Sequence, residues 1–142
     1  MAVAPDTWWK ELGKGEAQRL DQGHLTGVIR LTPPTGRTDR PTFFRRVFFA
    51  EEKWRSARDA NGNRIDVAAV QFEVELGGRS LGRYELRLDY GGYRDVRGRA
   101  TTLLHLGSLA AELLRVDVTG WFLLVERGAG AHRLVITPNR PA

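Results

Sequence analysis

A strict alternation of apolar and polar residues marks the middle of the chain. Val70, Phe72, Val74 and Leu76 alternate with Gln71, Glu73 and Glu75. Tyr84, Leu86, Leu88 and Tyr90 alternate with Arg83, Glu85, Arg87 and Asp89. Neighbouring side chains of a strand point to opposite faces, so each run predicts a strand with one buried and one wet face. Gly77-Gly78 lies between the runs, and such a pair suits a two-residue hairpin turn. Glu and Arg on the wet faces are placed to pair across the strands. Trp121 to Glu126 and His132 to Thr137 predict a second hairpin, turning through Gly128-Ala129-Gly130 and ended by Pro138.

The other elements are shorter. His24 to Leu31 reads as a strand that stops at Thr32-Pro33-Pro34-Thr35-Gly36, because proline cannot donate to a ladder. Phe43 to Ala50 and Thr101 to Leu106 also read as strands. Thr7 is placed to cap a short helical turn, Trp8-Trp9-Lys10-Glu11-Leu12, that Gly13 stops. At least one of the adjacent tryptophans is expected to pack on the domain, and a stacking platform for bases is the sharper alternative. Glu51 to Ala57 reads as a short helix with its acids first, as the helix dipole favours. Asn61-Gly62-Asn63 reads as a turn. Ser108 is placed to cap a helix running to about Arg115, with Leu109, Leu113 and Leu114 on one side. The order predicts a mostly β (α+β) fold: a seven-stranded antiparallel pseudobarrel with two short helices, closed or nearly closed because closure removes exposed edges. Residues 1–22 form a lead-in, 23–138 the domain and 139–142 a tail.

Composition narrows the function classes. A chain of 142 residues with 42% hydrophobic and 27% charged residues is long enough and apolar enough to bury one core. It has no cysteine, so disulfides and thiolate metal sites are excluded. No apolar run approaches a membrane span and Met1 to Lys10 lacks the apolar core of a signal peptide, so a cytoplasmic protein with no membrane partner is expected.

Charge changes the picture more. The net charge is +5, and only Lys10, Lys14 and Lys53 among the 22 basic residues are lysine. Residues 35–46 hold Arg37, Arg40, Arg45 and Arg46 against Asp39, a local +3. Residues 91–99 hold Arg94, Arg97 and Arg99 against Asp95, a local +2, so these two segments equal the whole net charge. Guanidiniums crowded on two loops call for an anion, and a planar guanidinium fork suits phosphates and guanine edges. Neutralised DNA phosphates release counterions, which drives nucleic-acid affinity. Arg37, Thr38, Arg40, Arg45, Arg46, Tyr93, Arg94, Arg97 and Arg99 are therefore the candidate DNA-binding residues. Arg45 and Arg46, in or beside a strand, would point to opposite faces, so at most one would meet a groove.

Candidate catalytic sets are thin. His24, His105 and His132 have no metal-ligand spacing with one another, and His105 reads as a hydrogen-bonded structural residue. Asp39 with Glu51-Glu52-Lys53 is faintly like the acid and lysine set of metal-dependent nucleases. A helix start rich in acids explains that triplet equally well. No phosphate loop, nucleophile elbow or dinucleotide fingerprint is present. The expectation is a binding protein with no enzymatic activity, no catalytic residues, no metal and no cofactor.

Several short pieces resemble a known family. Gly23-His24-Leu25-Thr26-Gly27, Phe43-Phe44-Arg45 with Trp54, Gly82-Arg83-Tyr84-Glu85-Leu86, and Thr101 to Gly107 with Val118-Thr119-Gly120 behind it are similar to the domain that follows the phospholipase-D-type nuclease domain in some bacterial restriction-type proteins. The resemblance covers about residues 8 to 137. The nuclease part, with its His-x-Lys motif, is absent, which implies a recognition module acting alone or an excised piece, with a phospholipase-D-type nuclease domain or subunit as a partner. The element order also resembles the B-three DNA-binding pseudobarrel, whose two arms grip the major groove like a wrench. One arm of that family follows the first strand and the other joins the fourth and fifth, where segments 32–46 and 91–99 fall here. A lead-in helix packed over the arms would depart from that picture. The expectation is double-stranded DNA recognition in a restriction or defence setting. The alternative is a β-barrel that binds a protein or small ligand, using its arginine-rich face for an acidic partner.

Overall fold

Eight strands form one sheet in the computed structural model, which describes residues 6–13, 27–34, 42–91 and 101–141. The strands are β1 (Thr7–Glu11), β2 (Val28–Leu31), β3 (Arg55–Arg58), β4 (Arg64–Leu76), β5 (Arg79–Gly91), β6 (Thr101–His105), β7 (Phe122–Glu126) and β8 (His132–Thr137). A π-helical turn, Phe43–Phe48, and a short helix, α1 (Leu109–Leu113), complete the set. The spatial order is β1-β7-β8-β4-β5-β6-β2, with β3 also on β4. All pairs are antiparallel except β4 with β8. One edge of β4 pairs with β5, while its first half takes β3 and its second half takes β8 along the other edge. The result is a mostly β, nearly closed barrel-like sheet with two short helices.

The long hairpin forms where the alternation predicts it. Leu76 faces Arg79 across Gly77 and Gly78, whose φ values of 59° and 82° give the left-handed turn that matches strand twist. Val70, Phe72, Val74 and Leu76 of β4 and Leu86 and Leu88 of β5 turn into the core with Ile29, Leu104, Leu123, Val125, Leu134 and Ile136. Arg83 pairs with Glu73 across the wet face at 2.9 Å.

Two end strands meet at a seam. β1 and β2 are the two ends of the strand path, and side chains bridge them. The Trp8 indole Nε1–H donates to the Thr32 carbonyl at 2.8 Å, and Lys10 Nζ donates to the Arg30 carbonyl at 2.8 Å.

Four local expectations are corrected. Thr7 to Leu12 is not a helical turn: Thr7–Glu11 is a strand paired with β7, so the lead-in belongs to the sheet. Strand alternation sends Trp8 inward, 5% exposed, and leaves Trp9 half-buried against Phe122. Phe43 to Ala50 is not a strand. Phe43 and Phe48, like Phe44 and Phe49, are five residues apart, so an i→i+5 turn puts all four on one side. The Phe49 N–H donates to the Phe44 carbonyl at 2.9 Å, and all four rings are buried. A strand would have pushed half of them into water. Glu51 to Ala57 is a turn leading into β3 rather than a helix. Trp54 Nε1–H donates to the Phe49 carbonyl at 2.8 Å, and the backbone then pairs with β4. Long-range pairing outweighs the weak helical pattern there. At α1 the Ser108 side chain makes no capping bond.

Candidate functional site

One register row orders the rim of the barrel. Leu31 of β2 lies opposite Thr102 of β6, Thr102 opposite Tyr90 of β5, Tyr90 opposite Asp66 of β4, and Asp66 opposite Ser56 of β3. Residues directly opposite share a face. The chain leaves β2 just after Leu31, and residues 92–100 join Gly91 to Thr101. The stems of both basic segments are therefore neighbours at one end of the sheet, two strands apart at most. The β3–β4 turn, residues 59–63, stands at the same end.

Most arginines of the basic segments, with their neighbours, fall outside the described residues: Arg37, Thr38, Arg40, Tyr93, Arg94, Arg97 and Arg99, along with Asp39 and His24. Arg45 and Arg46 are described, on the π-helical turn rather than a strand. They are placed differently. Arg45 Nε donates to Asp66 Oδ2 at 3.0 Å and its guanidinium lies 4.9 Å from the centre of the Trp54 ring. Arg46 is exposed.

The hairpin of β3 and β4 adds residues that sequence reasoning missed. Arg55, Arg58 and Arg64 are exposed, as is Lys53 just before them. Among the described residues no carboxylate pairs with any of these four. A signal was present, since three arginines and a lysine flank Asn61-Gly62-Asn63 with only Asp59 against them. The expected helix over 51–57 scattered them around a cylinder instead of along a hairpin.

At the other end of β4 the arginines are paired. Arg83 meets Glu73 at 2.9 Å, Arg133 meets Glu75 at 3.2 Å and also Glu126, and Arg79 meets Glu112 at 3.6 Å. Hydrogen bonds that the Arg133 guanidinium donates to Glu126 and Glu75 hold it above its ordinary pKa. Asp59 and Asp66 lie beside the Arg64 end, whereas Glu73 and Glu75 sit roughly 30 Å along β4 from it, at about 3.3 Å per residue. That is beyond a Debye length at physiological salt, so the two glutamates do little to offset the rim.

The other candidate chemistry resolves into structure. His105 Nε2 lies 2.6 Å from Asp89 Oδ2, and Arg87 approaches the same oxygen at 3.6 Å. Asp89 is buried, and its Oδ1 has no hydrogen-bond partner. His132 is buried, and its Nδ1 accepts the Gly128 backbone N–H at 3.1 Å. Its proton therefore sits on Nε2, which donates to Glu52 Oε2 at 3.3 Å. Both ring nitrogens are engaged within the chain. Glu52 is turned toward His132, while Glu51 and Lys53 are exposed. Among the described residues no group of three His, Asp or Glu is placed to hold a metal ion. A cleft of about 490 Å³ opens at the seam between Trp8, Trp9, Lys10, Thr32, Pro33 and Pro34. No helix among the described residues is long and apolar enough to cross a membrane.

Comparison with protein-family models, with curated proteins and with solved structures finds no match to this chain.

Proposed function

We propose that this chain is a double-stranded DNA-binding domain that grips the major groove with segments 32–46 and 91–99. The observation that carries the reading is the segregation of charge. Arginines at one end of β4 meet carboxylates, while at the end where both basic segments are anchored Arg45 meets Asp66 but Arg46, Arg55, Arg58 and Arg64, with Lys53 just before β3, meet none among the described residues. Crowded guanidiniums are stabilised against a polyanion, and a duplex offers one negative charge per ~1.7 Å of axis. The domain acts by binding alone, without metal or cofactor. Its place is that of a recognition unit for a restriction or defence nuclease in a bacterial cytoplasm, with a phospholipase-D-type nuclease domain or subunit as its partner.

Fluorescence anisotropy with labelled duplexes of random sequence tests the reading. DNA binding must weaken steeply as salt rises, with a log–log slope of about −0.9 per phosphate neutralised. Duplex binding that fails at moderate salt, or that ignores salt, overturns it in favour of a barrel whose arginines meet an acidic protein or small ligand.

A further inference from the structure

Arg58 and Arg64 lie directly opposite one another across the β3–β4 hairpin. Both are exposed. Like charges in this position repel, and sheets normally oppose them with an acid, as Glu73 opposes Arg83 in this molecule. Here each guanidinium is steadied by a neutral group instead. Arg58 Nη1 donates to the Gly62 carbonyl at 3.0 Å, and Arg64 Nε donates to Ser56 Oγ at 3.0 Å. The nearest acid in sequence, Asp59, is folded into the turn: its Oδ1 accepts the N–H groups of Asn61 and Asn63, both at 2.9 Å. Gly62, at φ 81°, completes that turn. The tip presents two cations on one face of the hairpin, Arg58 braced toward the turn and Arg64 braced back along the strand.

We propose that the Arg58–Arg64 pair is a third DNA contact, separate from the two basic segments, and that it clamps a backbone phosphate. The inference rests on the DNA reading above. A phosphate between two guanidiniums relieves their repulsion and accepts charge-assisted hydrogen bonds from both. Backbone contacts of this kind set register on the duplex and carry no base information. The hairpin shares its end of the sheet with the stems of the two basic segments, so one duplex can reach all three.

The test uses the full chain with Arg58→Gln, Arg64→Gln and the double substitution. Anisotropy is measured on a selected site and on random duplex across a salt series, beside a thermal melt of each protein. The double variant is expected to lose roughly tenfold in affinity equally on both duplexes, with a salt slope shallower by about one unit. Its melting temperature should match or exceed that of the unsubstituted chain, since a like-charge pair is relieved. Unsubstituted protein that binds duplex, with variants that keep its affinity and slope, overturns this inference and leaves the DNA reading standing. A loss confined to the selected site overturns the phosphate assignment, because the pair would then be reading bases. A lower melting temperature with unchanged binding assigns the pair a structural role instead. If the unsubstituted protein binds no duplex, the DNA reading fails and this inference with it.

Discussion

Trp8 of the first strand and Thr32 at the end of the second are joined by one hydrogen bond, indole N–H to backbone carbonyl, at 2.8 Å. That bond ties together the two ends of a seven-strand path, with β3 lying off it on β4. It also fixes the point from which the first basic segment departs. Trp8→Phe keeps a buried ring and removes the donor. It should destabilise the fold by about 1–2 kcal/mol, the cost of one hydrogen bond with its acceptor left behind. Urea unfolding reads this directly; an unchanged midpoint would show that the seam does not need the bond.

Asp89 and His105 should behave as a coupled pair. Asp89 is buried on β5 with Oδ1 unsatisfied, so the bond from His105 Nε2 at 2.6 Å is its main compensation. Removing His105 leaves a carboxylate without its donor. His105→Ala should cost about 1–3 kcal/mol, and a double-mutant cycle with Asp89→Ala should show a coupling of about 0.5–3 kcal/mol. Additive single and double variants in denaturant unfolding would remove the pair from the list of stabilising contacts.

Arg45 and Arg46 should separate structure from binding. Arg45 is tied to Asp66 and lies over Trp54. Arg45→Ala is expected to lower stability by about 1 kcal/mol. Arg46 is exposed on the same turn. Arg46→Ala should leave the melting curve in place and reduce the salt slope of duplex binding by about one unit. The opposite assignment of the two effects would show that Arg45 leaves Asp66 to meet DNA.

Base reading is expected from Arg37, Arg40, Arg94 and Arg97, with Tyr93 against sugar or a thymine methyl. Each bidentate arginine–guanine pair contributes roughly 1–3 kcal/mol of discrimination. Single alanine substitutions should therefore relax preference at one base position each when a selected site is compared with its single-base variants. Uniform losses on all sequences would move these residues to the phosphate class.

Binding should be indifferent to chelators. EDTA is expected to leave affinity unchanged. Loss of binding in EDTA with recovery in magnesium would revive the nuclease set of Asp39, Glu51 and Lys53.

Periodicity carried the β4–β5 and β7–β8 hairpins because a half-buried strand writes its two faces into the residue order, and paired glycines or a Gly-Ala-Gly run mark the turns. The absence of cysteine and of any metal-ligand spacing was likewise a property of the chain alone, and the rim cations at Arg45 and Arg46 were visible as a local excess of charge. Tertiary structure decided the rest. Thr7–Glu11 became a strand because β7 offered it a partner, and Phe43 to Phe49 wound into a wide turn because four rings at a spacing of five filled the barrel from one side. Arg58 opposing Arg64, and the carboxylates of Glu73, Glu75 and Glu126 gathering far from them, depend on strand register. A net charge summed along a sequence averages over such separation. Pairing between strands distant in the chain gathers Glu73, Glu75 and Glu126 around arginines at one end and leaves Arg58 and Arg64 without an acid partner at the other, and local sequence holds no record of which strands will lie side by side.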